Sequence, residues 1–421
     1  MTNPSLKKEL GLTRVVLMGI GIILGAGIYA LVGKAAGVSG NTVWLAFTVS
    51  AIVAGFTGLS YAELSSMISS DGAEYDYAKK AFGKKIAFVV GWLIIFAGII
   101  APSTVALGFG GYLNSLTGID TILGAFLILL ASSFIVFKGI GESANIASAM
   151  TIVEAIGLLI IIFIGIPFIG TVNLLELKFG WSGILSGAAL IFFAYIGFQD
   201  IVRLSEETKN PTKIIPQALL LSIIITTILY ILVAISAVSI AGAEFLANSS
   251  SPLSDVAQSV LGPEAGTILA IIALFSTGNT VLLMILGASR ILYGIANETS
   301  LPNVLSKVHK KNRTPWVAIL TVLIVSSLFL LSDGIAFIAK ATDFALFIAF
   351  IVINGTVIKL RFSYPKIKRP FKIPLNIGKI PIIPILGVIS CIALIIGIEQ
   401  NILILGTIIL IAGTIVAWIF E

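Results

Sequence analysis

The chain has 421 residues, of which 58% are hydrophobic and only 11% charged, with a mean hydropathy of +1.10 and a formal net charge of +6. A soluble chain carries about 25% charged residues, so this one cannot clothe itself for water, and its apolar residues come in runs. The basic balance does not point to nucleic acid, because Lys and Arg fall between the apolar runs and not on one face.

A membrane-crossing helix needs roughly 20 mostly apolar residues. Apolar segments near that length are expected at 14–38, 43–68, 86–112, 121–138, 149–170, 183–203, 216–241, 266–293, 315–331, 335–360, 381–398 and 400–420. The chain is therefore read as an all-α polytopic membrane protein with about twelve transmembrane helices. The first run lacks a small-residue cleavage pattern and is read as a retained span.

That first run holds Gly19, Gly21, Gly25 and Gly27 in quick succession. Each glycine costs a helix ~1 kcal/mol relative to Ala. Small residues also let helices pack closely, but Gly25 and Gly27 fall near mid-membrane, where an unwound stretch can offer bare N–H and C=O groups to a ligand. Glu63, at the end of the second run, is a candidate inner latch. In the fifth, Glu154 lies roughly 8 Å into the membrane at ~1.5 Å per residue. An acid at that depth is a functional suspect.

The sixth run carries Phe193-Ala194-Tyr195-Ile196-Gly197-Phe198, a second interruption. Gln199, Asp200 and Arg203 follow it; Asp200 and Arg203 are spaced to pair on one helix face. Ser276, Thr277, Gly278 and Asn279 form a polar patch in the eighth run, where hydroxyls and amides often serve only to bond helices together. In the tenth, Lys340 and Asp343 are spaced for a local ion pair, with an outer gate as the alternative.

Of the 26 Lys and Arg, all but Lys34, Lys178 and Lys340 fall on the side of the N-terminus. The positive-inside rule then makes both termini cytoplasmic. The basic cluster around His309 and the 361–379 loop are expected to touch anionic lipid. One histidine and one distant cysteine, Cys391, make neither a metal site nor an intramolecular disulfide. No phosphate-binding glycine loop and no nucleophile–base constellation is readable, so neither ATP-driven transport nor an enzyme is expected. Two interrupted segments five spans apart, entering from opposite sides, are the signature of an inverted five-plus-five repeat with a midplane site. It divides the chain into 1–175, 176–362 and a C-terminal pair of helices, 363–421.

At these residues the sequence resembles the amino acid–polyamine–organocation transporter superfamily over nearly its whole length. Gly21 to Tyr29 is similar to the family's first-span pattern, with Leu24 replacing an Ile. Ala62-Glu63-Leu64, Gly72, Tyr75, Tyr77 and Phe82-Gly83 follow. Glu206-Glu207, Asn210-Pro211 and Pro216 come next, then Ser289-Arg290, Leu301-Pro302 and Thr314-Pro315, then Arg369-Pro370-Phe371 and Pro374. The wording of the first and sixth spans is closest to the cationic amino acid branch. The resemblance implies a LeuT-type fold with broken helices 1 and 6, amino acid transport, and no cofactor. It places the substrate carboxylate at the backbone of Gly25, Ala26, Gly27 and Ile28, and the α-amino group at carbonyls near Ile22, Ile23, Phe193, Ala194 and Ile196, with Tyr195 or Phe198 as a gate beside Gly197.

Many relatives carry Lys where this chain has Glu154, so their mechanism does not transfer directly. Glu154 is expected to bind the coupling proton; Na⁺ held by a carboxylate, Ser276 and Thr277 is the alternative. Amino acid exchange needs no net ion coupling. A non-transporting sensor would be expected to carry a signalling tail, and the last run ends at Phe420-Glu421.

Overall fold

The computed structural model describes residues 10–68, 73–139, 144–205, 208–298 and 301–420. Gly72, Glu206 and Glu207, noted above, lie outside the described residues, as do the side chains of Ala26 and Arg203. The chain is almost wholly helical. Its helices are α1 (Leu12–Ser39), α2 (Val43–Met67), α3 (Ala73–Phe82), α4 (Lys84–Thr117), α5 (Thr121–Lys138), α6 (Ala144–Gly165), α7 (Gly180–Ile191), α8 (Pro211–Ala241), α9 (Ala243–Asn248), α10 (Pro252–Leu261), α11 (Pro263–Glu298), α12 (Trp316–Phe329), α13 (Ile335–Ser363), α14 (Ile382–Ile396) and α15 (Gln400–Phe420).

Each expected apolar segment overlaps one of these helices, the sixth, 183–203, only as far as Ile191, where α7 ends. Among the described residues, nine stretches are long and apolar enough to cross a membrane, one of them the run Gly27–Met67. Leu12–Gly25, Trp316–Phe329 and Ile382–Ile396 are shorter apolar helices. Large apolar side chains such as Phe134, Phe163, Phe275 and Trp418 are 59%, 66%, 59% and 70% exposed, an outer surface that only lipid tolerates. This is an integral, multi-pass membrane protein.

Inside, hydroxyls are satisfied along their own helices. Thr226 donates to Ser222 O at 2.7 Å, Thr277 to Ala273 O at 2.6 Å and Thr342 to Ile338 O at 2.9 Å. Others tie helices together. Ser326 of α12 donates to Ile99 O at 2.6 Å, and Ser103 of α4 donates back to Ser326 O at 2.8 Å, beside the helix-interior Pro102.

The sequence reading missed three short helices. The segment 242–265, expected as a loop, folds into α9 and α10, and α3 lies in the connection after α2. α9 packs hard on α1, where a Cβ at Gly33 would fall 2.3 Å from Leu246 O. At the end of the bundle that carries most Lys and Arg, a two-stranded hairpin pairs Asn376–Ile377 with Ile380–Pro381.

Candidate functional site

The two expected interruptions are present. α1 leaves helical geometry at Gly25, with φ −10° and ψ −156°. α7 ends at Ile191, tightens into a 3-10 turn over Phe192–Tyr195, and is extended at Ile196, with ψ 139°. Gly197 follows at φ 110°, a conformation that L side chains rarely adopt, and a second 3-10 stretch runs over Phe198–Ser205.

Glycine brings the two breaks together. A Cβ at Gly27 would stand 2.3 Å from Ala194 Cα, and one at Gly197 would stand 3.0 Å from Ile22 O. Any side chain there would force the two interrupted segments apart. A Cβ at Gly25 would meet Thr280 Oγ1 of α11 at 2.7 Å. The backbone groups expected to hold substrate, at Ile22, Ile23, Gly25, Ala26, Gly27 and Ile28 and from Phe193 to Gly197, therefore lie side by side.

Tyr230 of α8 joins them. Its hydroxyl lies 2.7 Å from Ile23 O and 3.0 Å from Ala194 O. One phenolic proton cannot fully satisfy two carbonyls at once, so this pair retains acceptor capacity for a cationic group. Gly197 N–H donates to Gln199 Oε1 at 3.0 Å, which closes the turn internally. Tyr195 donates to Phe47 O at 3.2 Å and packs its ring 5.3 Å from that of Tyr230. Phe198 packs instead with Tyr61 at 5.9 Å and Phe350 at 5.6 Å. The two gate candidates thus belong to separate aromatic groups.

Glu154 of α6 is 2% exposed, and its main-chain carbonyl receives the Tyr29 hydroxyl at 2.8 Å. Its carboxylate is within electrostatic reach of both Tyr29 and Tyr230, so it sits on the side of α6 that faces the breaks. Tyr112 of α4 donates to Tyr29 O at 2.9 Å, extending the network across α1. On α11, Thr277 is committed to its own helix, while the Ser276 hydroxyl is fully buried with no hydrogen-bond partner among the described residues. Thr280, one turn from Ser276 and bonded to its carbonyl at 2.9 Å, is the α11 side chain that reaches α1.

Glu63 meets basic residues as expected. Arg361 of α13 grips it with Nε at 3.0 Å and Nη2 at 2.5 Å. Arg369 Nε lies 3.3 Å away, and Ile373 N–H donates to it at 2.9 Å. The expected Lys340–Asp343 pair is not formed. Lys340 reaches across to Glu399, just before α15, and to Ser186 Oγ of α7 at 3.1 Å. A long flexible ammonium side chain can choose a partner distant in sequence, which spacing along one helix cannot reveal.

Tyr230 and Thr280 escaped the sequence reading because each looks like an ordinary helix residue. The available signal was a buried phenol in an otherwise apolar run, which requires an acceptor. Among the described residues no group of three His, Cys, Asp or Glu could hold a metal ion.

The amino acid permease family model matches residues 10–419. The branched-chain amino acid permease BcaP of Bacillus subtilis (strain 168) is 32% identical over 415 residues, covering 93% of this chain and 88% of that one. The methylthioribose transporter of the same organism is 27% identical over 410 residues, with 92% and 88% covered. The vacuolar cationic amino acid transporter 4 of Arabidopsis thaliana is 27% identical over 394 residues, with 86% and 64% covered. These are transporters and not enzymes, and the chain belongs to the amino acid permease family, within the amino acid–polyamine–organocation superfamily.

Proposed function

We propose that this protein is a secondary active transporter that moves amino acids across the cytoplasmic membrane by alternating access, with Glu154 carrying the coupled proton. In this reading about twelve spans form a LeuT-type inverted repeat with both termini in the cytoplasm. The observation that carries it is the backbone contact between two interrupted helices, bridged by Tyr230 at 2.7 and 3.0 Å. A zwitterion needs donors for its carboxylate and acceptors for its ammonium, and two broken helices side by side offer both. Glu154 supports coupling through its burial and its position facing that pair of breaks. One proton crossing 100 mV is worth ~2.3 kcal/mol before any pH term. The name of the Bacillus subtilis relative makes branched-chain amino acids the first substrates to assay.

Counterflow and uptake by the purified protein in liposomes test this, across all amino acids and common polyamines, under imposed proton and sodium gradients. Amino acid counterflow and uphill uptake driven by an inward proton gradient are expected, with fewer protons taken up per substrate in Glu154→Gln. Wild-type proton dependence in that variant refutes the role of Glu154, and an absence of amino acid counterflow refutes the function. A sodium-coupled reading has its own support in the buried Ser276 hydroxyl and in Thr280 beside Gly25. Uptake that follows a sodium gradient, ignores pH and is lost in Ser276→Ala would favour it.

A further inference from the structure

We propose that Asp343 is a second proton-binding site, distinct from Glu154, which reports on the Phe192–Tyr195 turn. Asp343 is 0% exposed, and neither carboxyl oxygen has a hydrogen-bond partner among the described residues. It lies beside the Phe193 main chain, within electrostatic reach of it but outside hydrogen-bond geometry, in the 3-10 turn that follows α7. An ionised carboxylate buried without a hydrogen bond or a dedicated counter-charge is the costliest kind of buried group. The counter-charge nearest to it is already committed, because Lys340 is held by Glu399 and by Ser186 at 3.1 Å.

The surrounding elements supply no replacement. α7 contributes no ionisable side chain and the turn only Tyr195, whose hydroxyl is given to Phe47 O. α14 brings only Cys391, α15 none after Glu399, and α4 only Tyr112 beyond Lys84 and Lys85. α2 and α3 hold their ionisable groups at the opposite end of the bundle, where Glu63 is satisfied by Arg361, and α1 brings Arg14, Tyr29 and Lys34. The arrangement seen is therefore that of the neutral acid with Lys340 turned away to Glu399.

A second arrangement follows from helix geometry. Lys340 and Asp343 are three apart on α13, so a side-chain rotation takes the ammonium from Glu399 to Asp343. Loss of the proton from Asp343 to water would leave an anion that draws Lys340 back along its own helix, releasing Glu399 and Ser186. Uptake of a proton from water reverses the exchange, with no electrons moved. The switch thus links one proton to the contact between α13, α7 and the segment before α15. It rests on the transport reading for its purpose but not for its existence.

Two measurements test it on the full-length protein. In liposomes, the number of protons taken up per substrate should fall by one in Asp343→Asn and be retained in Asp343→Glu. An unchanged ratio in Asp343→Asn overturns the proposal while leaving the transport reading intact. Infrared difference spectra taken across pH, without any substrate, should show the carbonyl stretch of a protonated buried carboxylic acid in Glu154→Gln and lose it when Asp343→Asn is added to that variant. If the Asp343 variants do not fold, the absence of that band from Glu154→Gln at every pH overturns the proposal by itself. A chain that transports no amino acid but shows the band leaves the proton site standing and removes only the transport reading.

Discussion

The contact between Gly27 and Ala194 gives the sharpest test of the site. In Gly27→Ala the new methyl would start 2.3 Å from Ala194 Cα and 2.6 Å from its Cβ. Carbon atoms settle at about 3.5–4.0 Å, so α1 and the Phe192–Tyr195 turn must separate by more than 1 Å. Nothing soft absorbs this, because the opposing atoms belong to backbone and a Cβ. Overpacking of this kind typically costs about 1–3 kcal/mol, and at about 1.4 kcal/mol per decade that is roughly a fivefold to hundredfold effect on any step that needs both breaks in register. Gly287→Ala is the control. It lies inside α11, and a Cβ there meets nothing within 4 Å, so about 0.4–1 kcal/mol of stabilisation is expected. Counterflow in liposomes, with detergent melting measured in parallel, should show Gly27→Ala roughly fivefold or more slower and Gly287→Ala at wild-type rate. Equal rates for the two variants would refute the reasoning that the breaks work as one site.

Tyr230→Phe removes the phenolic proton offered to Ile23 O and Ala194 O. A buried polar group left unsatisfied costs about 1–3 kcal/mol; equilibrium binding of a transported amino acid should change by roughly fivefold or more, and an unchanged affinity with an unchanged melting temperature refutes the bridge. Arg361→Gln strips Glu63 of two hydrogen bonds at 3.0 and 2.5 Å. Breaking a buried pair from one side typically costs about 3–5 kcal/mol, so melting should fall steeply, and Glu63→Gln in the same chain should recover part of the loss. Strict additivity in that double-mutant cycle would show that the pair is not coupled. Lys340→Met should destabilise through the contacts to Glu399 and Ser186, and it should do so equally in an Asp343→Asn background, where a direct Lys340–Asp343 pair would make the two losses overlap.

The helices were legible because lipid imposes a simple rule: a segment that crosses must be apolar for its whole length and satisfy its own backbone. The expected segment 121–138 and α5 share both ends. The breaks were legible because Gly25 and Gly197 permit non-helical backbone far from the ends of their apolar runs, while Gly27 serves the close packing that small residues also allow. α3, α9 and α10 were not, since short polar-flanked helices at the rim need neither length nor continuous hydrophobicity. Side-chain partners were the least legible. Glu63 found basic residues as its position suggested, but Lys340 passed over an acid three residues away for Glu399, because pairing was settled by how α7, α13 and α15 converge. Tyr230 is marked in the sequence only as a phenol in an apolar run and Thr280 not at all; it is the arrival of α8 and α11 beside α1 that brings them to the breaks.

The same convergence bears on the proposed coupling role of Glu154, at a position where the resemblance to the superfamily implies lysine. What the breaks require of the fifth long apolar helix is a polar group near Tyr29 and Tyr230, and Glu154 meets that requirement with the opposite charge. A fixed ammonium would satisfy freed carbonyls directly, as a permanent stand-in for a bound cation. A carboxylate cannot donate when ionised, so it serves the same carbonyl-rich region only by bringing a cation with it, either a proton or a metal ion. The substitution thus converts a built-in charge into one that must be loaded from solution. Tyr230 makes that loading consequential: its single proton is divided between Ile23 O and Ala194 O at 2.7 and 3.0 Å, and a cation arriving at Glu154 or a substrate ammonium arriving at the carbonyls would each change which of the two it favours. In the proposed mechanism ion and substrate would therefore act on one shared hydrogen bond, the physical form that coupling between them would take.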